Sequence, residues 1–451
     1  MNEKVIGRAK KADAKLVITV DCGSSNKEVV KKLMDVGVDT IVTDHHECMA
    51  DLPMAVAVVN PKRRDIVSDY GEHFDELIRI RDLAGVGVAF MLTRAMVEEH
   101  MIPAGQEKWL LDLVLIGTIC DSMQMSLVNR ILCFYGVKVL EKRRRIGLRE
   151  LMNISRTNEI TAETVGFQIG PRLNAAGRMA NADVALRLLQ ASNRAEGAKL
   201  AAELEKLNAE RKGQQVVAMH DIKERGISDD PVLVIVGEWH EGVLGIVAGK
   251  LVEEYRRPVF VFSRVDNELL KGSGRSFGDF SLADALKVCK ETIIGGGGHA
   301  GAAGVKIHRE KLEEFRMRVN DYYRSLKLSN QERFLTIEAD VETSDLGGLT
   351  LDLLDELKVL EPFGVGNEVP VFGLRHVLVL DKKLLGPEGQ HLRLLVRGDD
   401  GKTMKLMAFY APESWLRTES GKRMNILVHV GENEWNGLRS IEGRILDLRG
   451  C

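Results

Sequence analysis

Two short apolar segments near the N terminus constrain the fold of this chain more than any other feature. Residues 16–20 and 40–43 are rich in β-branched side chains, and each segment ends abruptly in polar ones. Asp21 follows the first segment, and the triplet Asp44, His45 and His46 follows the second. A carboxylate with two adjacent imidazoles suits divalent-metal coordination or acid–base chemistry, and a solvated loop is the alternative interpretation.

The residues between the two segments predict a helix. Residues 29–34 carry a helical apolar face, Ser25 and Glu28 have capping-box spacing, and Gly37 suits the position just past the helix end. A strand–helix–strand unit predicts parallel strands, whose C-terminal ends lie on one side of the sheet. We therefore expect Asp21 and the triplet to face the same crevice, which favours a metal site over a loop.

Length and composition set broader limits. At 451 residues the chain is long enough for about three domains. The net charge of −3 means that any nucleic-acid binding must come from local basic surface. Six cysteines without CxxC spacing favour reduced thiols over disulfides or zinc. Without a long apolar run or an apolar N-terminal segment, we expect a cytoplasmic protein with no membrane contact.

Two further segments of the first unit carry candidate functional groups. Residues 110–120 are mostly apolar and end at Asp121, but their periodicity does not separate helix from strand. Asp121 is therefore either a third member of the crevice or an ordinary helix end. Residues 170–178 hold Arg172 and Arg178 in a segment interrupted by proline and glycine, which suits contacts to an anion or phosphate.

The middle of the chain predicts one long helix, over residues 191–225, followed by alternating strands and helices. Residues 271–276 set Arg275 among serines and glycines in what we expect to be flexible backbone. Residues 295–304 contain four consecutive glycines and His299. Four glycines weaken any regular element, so close approach of backbone N–H groups to an anion is the favoured interpretation, with a flexible linker as the alternative.

The last third is dominated by strand-like segments, with one predicted helix at residues 351–360. The segments are residues 334–339, 371–380, 391–396, 404–410, 425–430 and 438–448. A small antiparallel barrel is the economical interpretation. An OB-like barrel would bind single strands by stacking and charge, and a purely structural β-domain remains the alternative.

The motifs, taken in order, resemble those of the DHH phosphoesterases, and specifically those of the RecJ single-strand exonucleases. The matching segments are residues 20–23, 44–46, 60–65, 83–90, 117–121, 170–178, 239–243, 273–276, 295–304 and 361–367. The resemblance implies an α/β fold with a parallel-sheet DHH domain at residues 1–190 and a connecting helix at 191–226. An α/β DHHA1 domain at 227–328 and a C-terminal OB-like β-barrel at 329–451 would follow.

The resemblance also implies roles for individual residues. In the family, the carboxylate at the Asp21 position bridges two divalent metals, and the positions of His45 and Asp121 ligate one of them. His46 would lie against the reacting phosphate, and Asp44 would orient its neighbours as a catalytic partner. Mn²⁺ or Mg²⁺ fits such an oxygen-plus-imidazole set.

Further residues would contact the phosphates of the nucleic acid. These are Arg275, His299, Arg172, Arg178, Gly297, Gly298 and His240. Relatives with this architecture degrade single-stranded DNA from the 5′ end in repair and recombination. The resemblance therefore implies single-stranded DNA as substrate, a single-strand-binding protein and a helicase as functional partners, and a monomer.

One departure from the family pattern bears on activity. The family carries an Asp-x-Asp-Gly motif on an earlier strand, and no such motif precedes Asp21. We therefore expect a DHH domain that is incomplete at its N terminus, with one of two metal sites incomplete; residues 66–82 also fit the family poorly. A non-catalytic single-strand-binding protein is one alternative. A phosphodiesterase acting on short oligonucleotides or cyclic dinucleotides is another, which the long third unit disfavours.

Overall fold

The computed structural model describes residues 1–48, 51–63, 80–328, 337–435 and 437–451. Its contacts form two compact units. The first comprises Met1–Lys142, Ile160–Val165 and Ile337–Cys451, and the second comprises Arg143–Glu159 and Gly166–Thr336. Parts of three sequence predictions, at residues 60–65, 66–82 and 334–339, lie outside the described residues. The domain boundaries at 190, 226 and 328 stay predictions.

The first unit begins with the predicted parallel sheet. Strands β1 (Leu16–Val20), β2 (Asp39–Thr43) and β3 (Ala57–Val59) lie in that order and pair in parallel, which confirms the strand–helix–strand prediction. Helix α1 spans Lys4–Lys11, and α2 spans Lys27–Asp35 between the first two strands.

The two ends of α2 differ in how well the sequence predicted them. Gly37, with φ +77°, donates to Met34 O at 2.9 Å, and Val38 donates to Leu33 O at 3.0 Å, so the predicted C-terminal glycine is confirmed. The predicted capping box is wrong, because the helix is preceded by Asn26 and no side chain caps it. The Asn26 amide instead donates to the Met1 carbonyl oxygen at 3.2 Å.

Three longer helices complete the N-terminal part of this unit: α3 (Gly85–Glu98), α4 (Leu111–Cys120) and α5 (Leu127–Glu141). The ambiguous segment before Asp121 is thus helical. Gly136 lets α5 pack closely on α4, since a Cβ there would lie 2.5 Å from the Leu111 carbonyl oxygen. Leu115, on the facing side of α4, is fully buried.

The second unit opens with helices α6 (Ile146–Ser155), α7 (Gly170–Met179), α8 (Asp183–Gln190) and α9 (Arg194–Arg225). The predicted long helix is confirmed as α9, which begins where Asn193 accepts a bond from Glu196 N. The prediction of a broken segment at residues 170–178 is wrong. Residues Val165–Ile169 form a π-helix that continues directly into α7, and Pro171 lies in the first turn of α7.

A five-stranded sheet follows in the order β4-β5-β6-β8-β7. Its strands are β4 (Leu233–Gly237), β5 (Val259–Arg264), β6 (Leu269–Arg275), β7 (Ile293–Gly298) and β8 (Ala302–His308). Helices α10 (Leu244–Tyr255), α11 (Leu282–Val288) and α12 (Leu312–Ser325) belong to the same unit. The β4–β5 pair is parallel and the others are antiparallel.

Both glycine-rich segments form strands, which corrects two expectations of irregular backbone. In β6 the Phe262 ring covers Gly272, where a Cβ would lie 2.5 Å from the ring. In β7 a Cβ at Gly298 would lie 2.2 Å from the Ala302 carbonyl oxygen of β8. Close packing by neighbouring atoms therefore accounts for glycine at both positions.

The C-terminal part of the first unit is a closed barrel. Its strands are β9 (Val341–Thr343), β10 (Val371–Leu385), β11 (His391–Arg397), β12 (Thr403–Ala408), β13 (Arg423–Trp435) and β14 (Leu438–Gly450). Strands β10-β11-β12-β14-β13 close on β10 around an apolar core. The antiparallel prediction holds except for the parallel β12–β14 pair, and β9 adds in parallel beside β10.

Two short helices belong to the barrel, α13 (Leu351–Leu357) and α14 (Glu413–Leu416). The residues of the predicted strand that are described, 337–339, are not strand, and β9 begins beyond them. None of the helices within the described ranges is long and apolar enough to span a membrane.

Candidate metal centre and anion site

The end of β1 presents Asp21 in an unusual backbone conformation. Asp21 has φ +63°, a left-handed conformation that costs a residue other than glycine about 1 kcal/mol or more. Its N–H still donates to Thr43 O of β2 at 3.0 Å, so the strand pairing extends to this residue. Gly85 at the start of α3 makes room for the carboxylate, since a Cβ there would lie 2.3 Å from Asp21 Oδ1.

His45 joins two carboxylates that are far apart in sequence. Its Nε2 lies 3.0 Å from Asp21 Oδ1 and 3.4 Å from Asp121 Oδ2. Asp121 follows the last residue of α4. It is therefore both a helix end and a member of the crevice, and the two alternatives from the sequence are compatible. The ring of His45 is buried, whereas both carboxylates remain about half exposed.

The pKa values of this cluster reflect two acids held around one imidazole. The hydrogen bond to Asp21 raises the pKa of His45, although burial opposes the shift. Burial raises the pKa of Asp121, and the His45 charge partly offsets that effect. The raised pKa of His45 means that the two carboxylates favour positive charge near Nε2, and a divalent cation would be attracted for the same reason.

Asp44 is buried and holds the adjacent histidine. Its Oδ1 lies 2.7 Å from His46 Nδ1 and accepts the backbone N–H of His45 at 2.8 Å, while its Oδ2 accepts Ser24 N–H at 2.9 Å. Burial opposes ionisation of Asp44, but the bonds from His46 and Ser24 outweigh it and lower its pKa to about 2. An ionised Asp44 at Nδ1 favours the tautomer in which His46 Nε2 carries the lone pair.

Asn60 is a further support for this arrangement. Its buried side-chain amide donates to Ser24 Oγ and to the His46 carbonyl oxygen, both at 2.9 Å. Ser24 was not singled out from the sequence, because a serine in a turn carries no distinguishing pattern. The triplet is therefore a largely buried, hydrogen-bonded structure, and the solvated-loop interpretation is wrong.

The donor set fits a divalent cation. One ligand atom each from Asp21, His45 and His46 lies within 4.8 Å of the others, and Asp121 approaches His45 from the other side. Carboxylate oxygens with imidazole nitrogens suit Mn²⁺ or Mg²⁺ better than the softer metals that thiolates select.

A second cluster, of opposite charge, lies in the second unit around the start of α10. Arg178, at the end of α7, donates to the Gly242 carbonyl oxygen at 3.4 Å. Arg275, at the end of β6, packs on Gly245, where a Cβ would lie 2.9 Å from its Nη2. Arg275 also donates to Ser273 Oγ at 3.3 Å. The positive end of the α10 dipole adds to the field of the two guanidinium groups.

Arg211 of α9 is a third member that the sequence did not single out. Burial lowers the pKa of Arg211 and of Arg275, and the charge of Arg178 lowers both further. Within the described ranges, no carboxylate lies at ion-pair distance from any of these three groups. One arginine among many on a long helix gives no sequence signal. A cluster of partly buried like charges attracts an anion.

The other predicted phosphate contacts have different surroundings. Arg172 forms an ion pair with Glu205 of α9 and donates to the Gln168 carbonyl oxygen at 2.7 Å. His240 precedes α10, and its Nδ1 accepts Gly242 N–H at 3.1 Å. The structure brings His240 to the arginine cluster and ties Arg172 to a carboxylate instead.

The glycine-rich hairpin formed by β7 and β8 contacts the backbone of Arg275 and Ser276. Arg275 faces Ala302 across the β6–β8 pair, and Ser276 N–H donates to the Gly301 carbonyl oxygen at 2.9 Å. His299 lies in the exposed turn of that hairpin, with Gly297 and Gly298 on the exposed strand before it.

The chain matches three known domain families in the order of its own architecture. Residues 2–118 match the DHH family N-terminal domain, residues 229–325 the DHHA1 domain and residues 339–447 the RecJ OB domain. Fold and site together therefore define a DHH/DHHA1 protein with an OB domain.

Similar proteins narrow this class. The single-stranded-DNA-specific exonuclease RecJ of Bacillus subtilis is 32% identical over all of this chain and 57% of its own length. The RecJ of Escherichia coli is 30% identical over 98% of this chain and 78% of its own length. The crystal structure of Thermus thermophilus RecJ with Mn²⁺ matches with a TM-score of 0.84 and 29% identity, covering 100% of this chain and 64% of that one.

The chain belongs to the RecJ family. It spans little more than half the length of the Bacillus subtilis relative. This assignment and the observed architecture confirm the family and the fold class that the sequence motifs predicted.

Proposed function

We propose that this protein is a metal-dependent exonuclease that hydrolyses phosphodiester bonds of single-stranded DNA. The observation that carries the proposal is the position of His45 Nε2, 3.0 Å from Asp21 and 3.4 Å from Asp121. Two acids held around one imidazole, with His46 adjacent, form a cation site at the C-terminal edge of a parallel sheet. The names of the similar proteins and the metals in their structures support the substrate and the cofactor.

Asp21, His45 and Asp121 would hold the cation, Mn²⁺ or Mg²⁺. When bound, a divalent cation neutralises charge on the phosphodiester and lowers the pKa of an attacking water. Asp44 keeps His46 in one orientation, so that the His46 ring can lie against the reacting phosphate. Since the Asp44 pKa is about 2, this bond persists at neutral pH.

The arginine cluster would bind a phosphate group of the strand. Arg178 and Arg275 offer planar donors that match phosphate oxygens, and Arg211 adds charge. Gly242 and Gly245 allow the first two to approach the start of α10. His240 and the hairpin that carries His299, Gly297 and Gly298 would contribute further contacts, and Arg172 would contribute only after leaving Glu205.

The barrel offers a surface for bases. Phe409 and Tyr410 are 57% and 79% exposed, and the His391 ring contacts both, with centroids 5.6 and 4.8 Å away. Tyr410 has φ +51°, and its N–H donates to His391 Nδ1 at 3.0 Å. Exposed rings of this kind suit stacking on single strands, at about 1–3 kcal/mol per base.

The test is digestion of single strands labelled at the 5′ or the 3′ end, with Mn²⁺, Mg²⁺ or a chelator. We expect metal-dependent release of nucleotides from the 5′ end, which is lost in Asp21→Ala. Asp13→Ala is a matched control, because Asp13 is an exposed acid that also has positive φ. Salt-sensitive binding without cleavage would contradict the proposal and favour a single-strand-binding function. Faster turnover of dinucleotides than of long strands would favour a small-substrate phosphodiesterase.

Two further parts of the proposal concern the cellular setting. A single-strand-binding protein and a helicase are proposed as functional partners, because they control access to single-stranded DNA. All six cysteines are free thiols, which supports a reducing compartment such as the cytoplasm.

A further inference from the structure

A segment that packs against the Asp21 carboxylate and the segment that follows Asp121 converge on one buried amide. Asn129 of α5 donates through Nδ2 to the Asp82 carbonyl oxygen at 2.7 Å and to the Gln124 carbonyl oxygen at 2.8 Å. Asp82 lies three residues before Gly85, which packs against the Asp21 carboxylate. Gln124 lies three residues after Asp121. A single side chain thus joins the segment that packs on the Asp21 carboxylate with the segment that follows Asp121.

This amide is placed where it can fix geometry. Asn129 itself is only 1% exposed, and both of its bonds are partly buried. It lies in the first turn of a long helix, which holds its backbone rigidly. A carbonyl that lost this donor would lose a partly buried hydrogen bond, so both segments favour the conformation that keeps it.

The loop after Asp121 is held from its other side by the barrel part of the same unit. Met125 N–H donates to the Val365 carbonyl oxygen at 2.7 Å. Gly364 packs on the Met125 side chain, where a Cβ would lie 3.2 Å from Cγ. Asn367 closes this segment on itself by donating to the Leu360 and Pro362 carbonyl oxygens at 2.9 and 3.0 Å.

A second bond joins the same two parts of the unit. Arg130, the neighbour of Asn129, donates from Nη2 to the Val359 carbonyl oxygen at 2.8 Å. The sequence motif at residues 361–367 therefore contacts the loop that follows Asp121. This role is separate from that of the exposed aromatic rings of the barrel.

We propose that Asn129 and the 361–367 segment form a clamp that positions the Asp21 and Asp121 carboxylates for cation binding. Asn129 is a positioning residue, and the barrel contributes to metal affinity through Val365 and Gly364. The inference rests on the proposed cation site. Supporting interactions of this kind change metal affinity by about 10–100-fold when they are lost.

The test measures Mn²⁺ affinity of the full chain by calorimetry, together with the denaturant midpoint. Asn129→Ala should weaken Mn²⁺ binding by about tenfold or more. Asn320→Ala is the matched control. Asn320 is 2% exposed and donates to the Val232 and Arg316 carbonyl oxygens in the second unit. We expect this control to lower the midpoint without changing Mn²⁺ affinity.

Gly364→Val tests the barrel side of the clamp without removing a buried amide, so it carries the test if Asn129→Ala does not fold. Its control is Gly431→Val, since Gly431 lies in β13 with no atom within 4 Å of an added Cβ. Folded Asn129→Ala and Gly364→Val proteins with wild-type Mn²⁺ affinity would overturn the clamp and leave the cation site intact. A wild-type chain that binds no Mn²⁺ would overturn the proposed function itself, and the clamp with it.

Discussion

The carboxylate cluster of the first unit and the arginine cluster of the second unit both hold like charges together, but they do so in different ways. Asp21 and Asp121 have an imidazole between them, and the pKa of His45 is raised by its bond to Asp21. Arg178, Arg211 and Arg275 have no such counter-charge among the described residues, and burial lowers the pKa of two of them. One cluster contains an imidazole that can carry the opposite charge, whereas the other is left to an external anion.

This difference predicts how each site responds to its ligand. A cation entering the first cluster must displace the His45 proton, so binding is coupled to pH. An anion entering the second cluster displaces only water, because guanidinium groups keep their charge at neutral pH. Variants of the two clusters should therefore change one ligand affinity and leave the other unaffected.

The largest expected effect is the loss of cleavage when a carboxylate of the first cluster is removed. Asp121→Ala removes one of the two carboxylates at His45 and should lower metal-dependent cleavage by about 10²–10³-fold, measured by initial rates on single strands. Sulfate binding to the arginine cluster, measured by calorimetry, should be unchanged. Asp35→Ala is the control, since Asp35 is an exposed acid at the end of α2. Equal rates in both variants would remove Asp121 from the site.

Asp44→Asn should have a smaller effect, because it keeps the shape of the side chain and loses its charge. The bond to His46 would lose the ionised acceptor that now has a pKa of about 2. We expect Mn²⁺ affinity or turnover to fall by about 10–100-fold. Unchanged turnover with an unchanged pH profile would show that Asp44 does not act through His46.

The pH dependence separates the two clusters directly. His45 keeps its proton to a higher pH than a free histidine, so Mn²⁺ affinity is full above the raised pKa and falls as pH drops through it. Below that pKa we expect the Mn²⁺ affinity to fall about tenfold for each pH unit. Sulfate affinity should change much less over the same pH range, because the three guanidinium groups keep their charge. Parallel profiles for the two ions would contradict the comparison.

The smallest expected effect comes from Arg275→Lys, which keeps the charge and loses the planar pair of donors. We expect sulfate affinity to fall by about fivefold, equivalent to about 1 kcal/mol. Mn²⁺ affinity should not change. Arg264→Lys is the control, because Arg264 lies on neighbouring β5 and pairs with exposed Glu238. A fivefold loss in both variants would point to the stability of the sheet instead.

The sequence alone determined the local elements near the metal centre. The segment ending at Asp21 and the one ending at the 44–46 triplet are short runs whose β-branched residues favour strands, and both were predicted. The parallel pairing that brings Asp21 to His45 follows from the helix between them. The strands of the barrel, including β11 and β13, were likewise visible as separate apolar runs.

Only the tertiary structure decided which side chains from distant parts of the sequence contact one another at each site. Asp121, Asn129 and Arg211 lie on helices whose local patterns are ordinary, and their roles come from partners distant in sequence. The strand conformation of the two glycine segments was not predicted, because the facing atoms that exclude a side chain, such as the Ala302 carbonyl oxygen, are set by tertiary packing. Local patterns depend on backbone preference and burial. A site depends on which charges the packing holds together, and that is set by contacts across the whole unit.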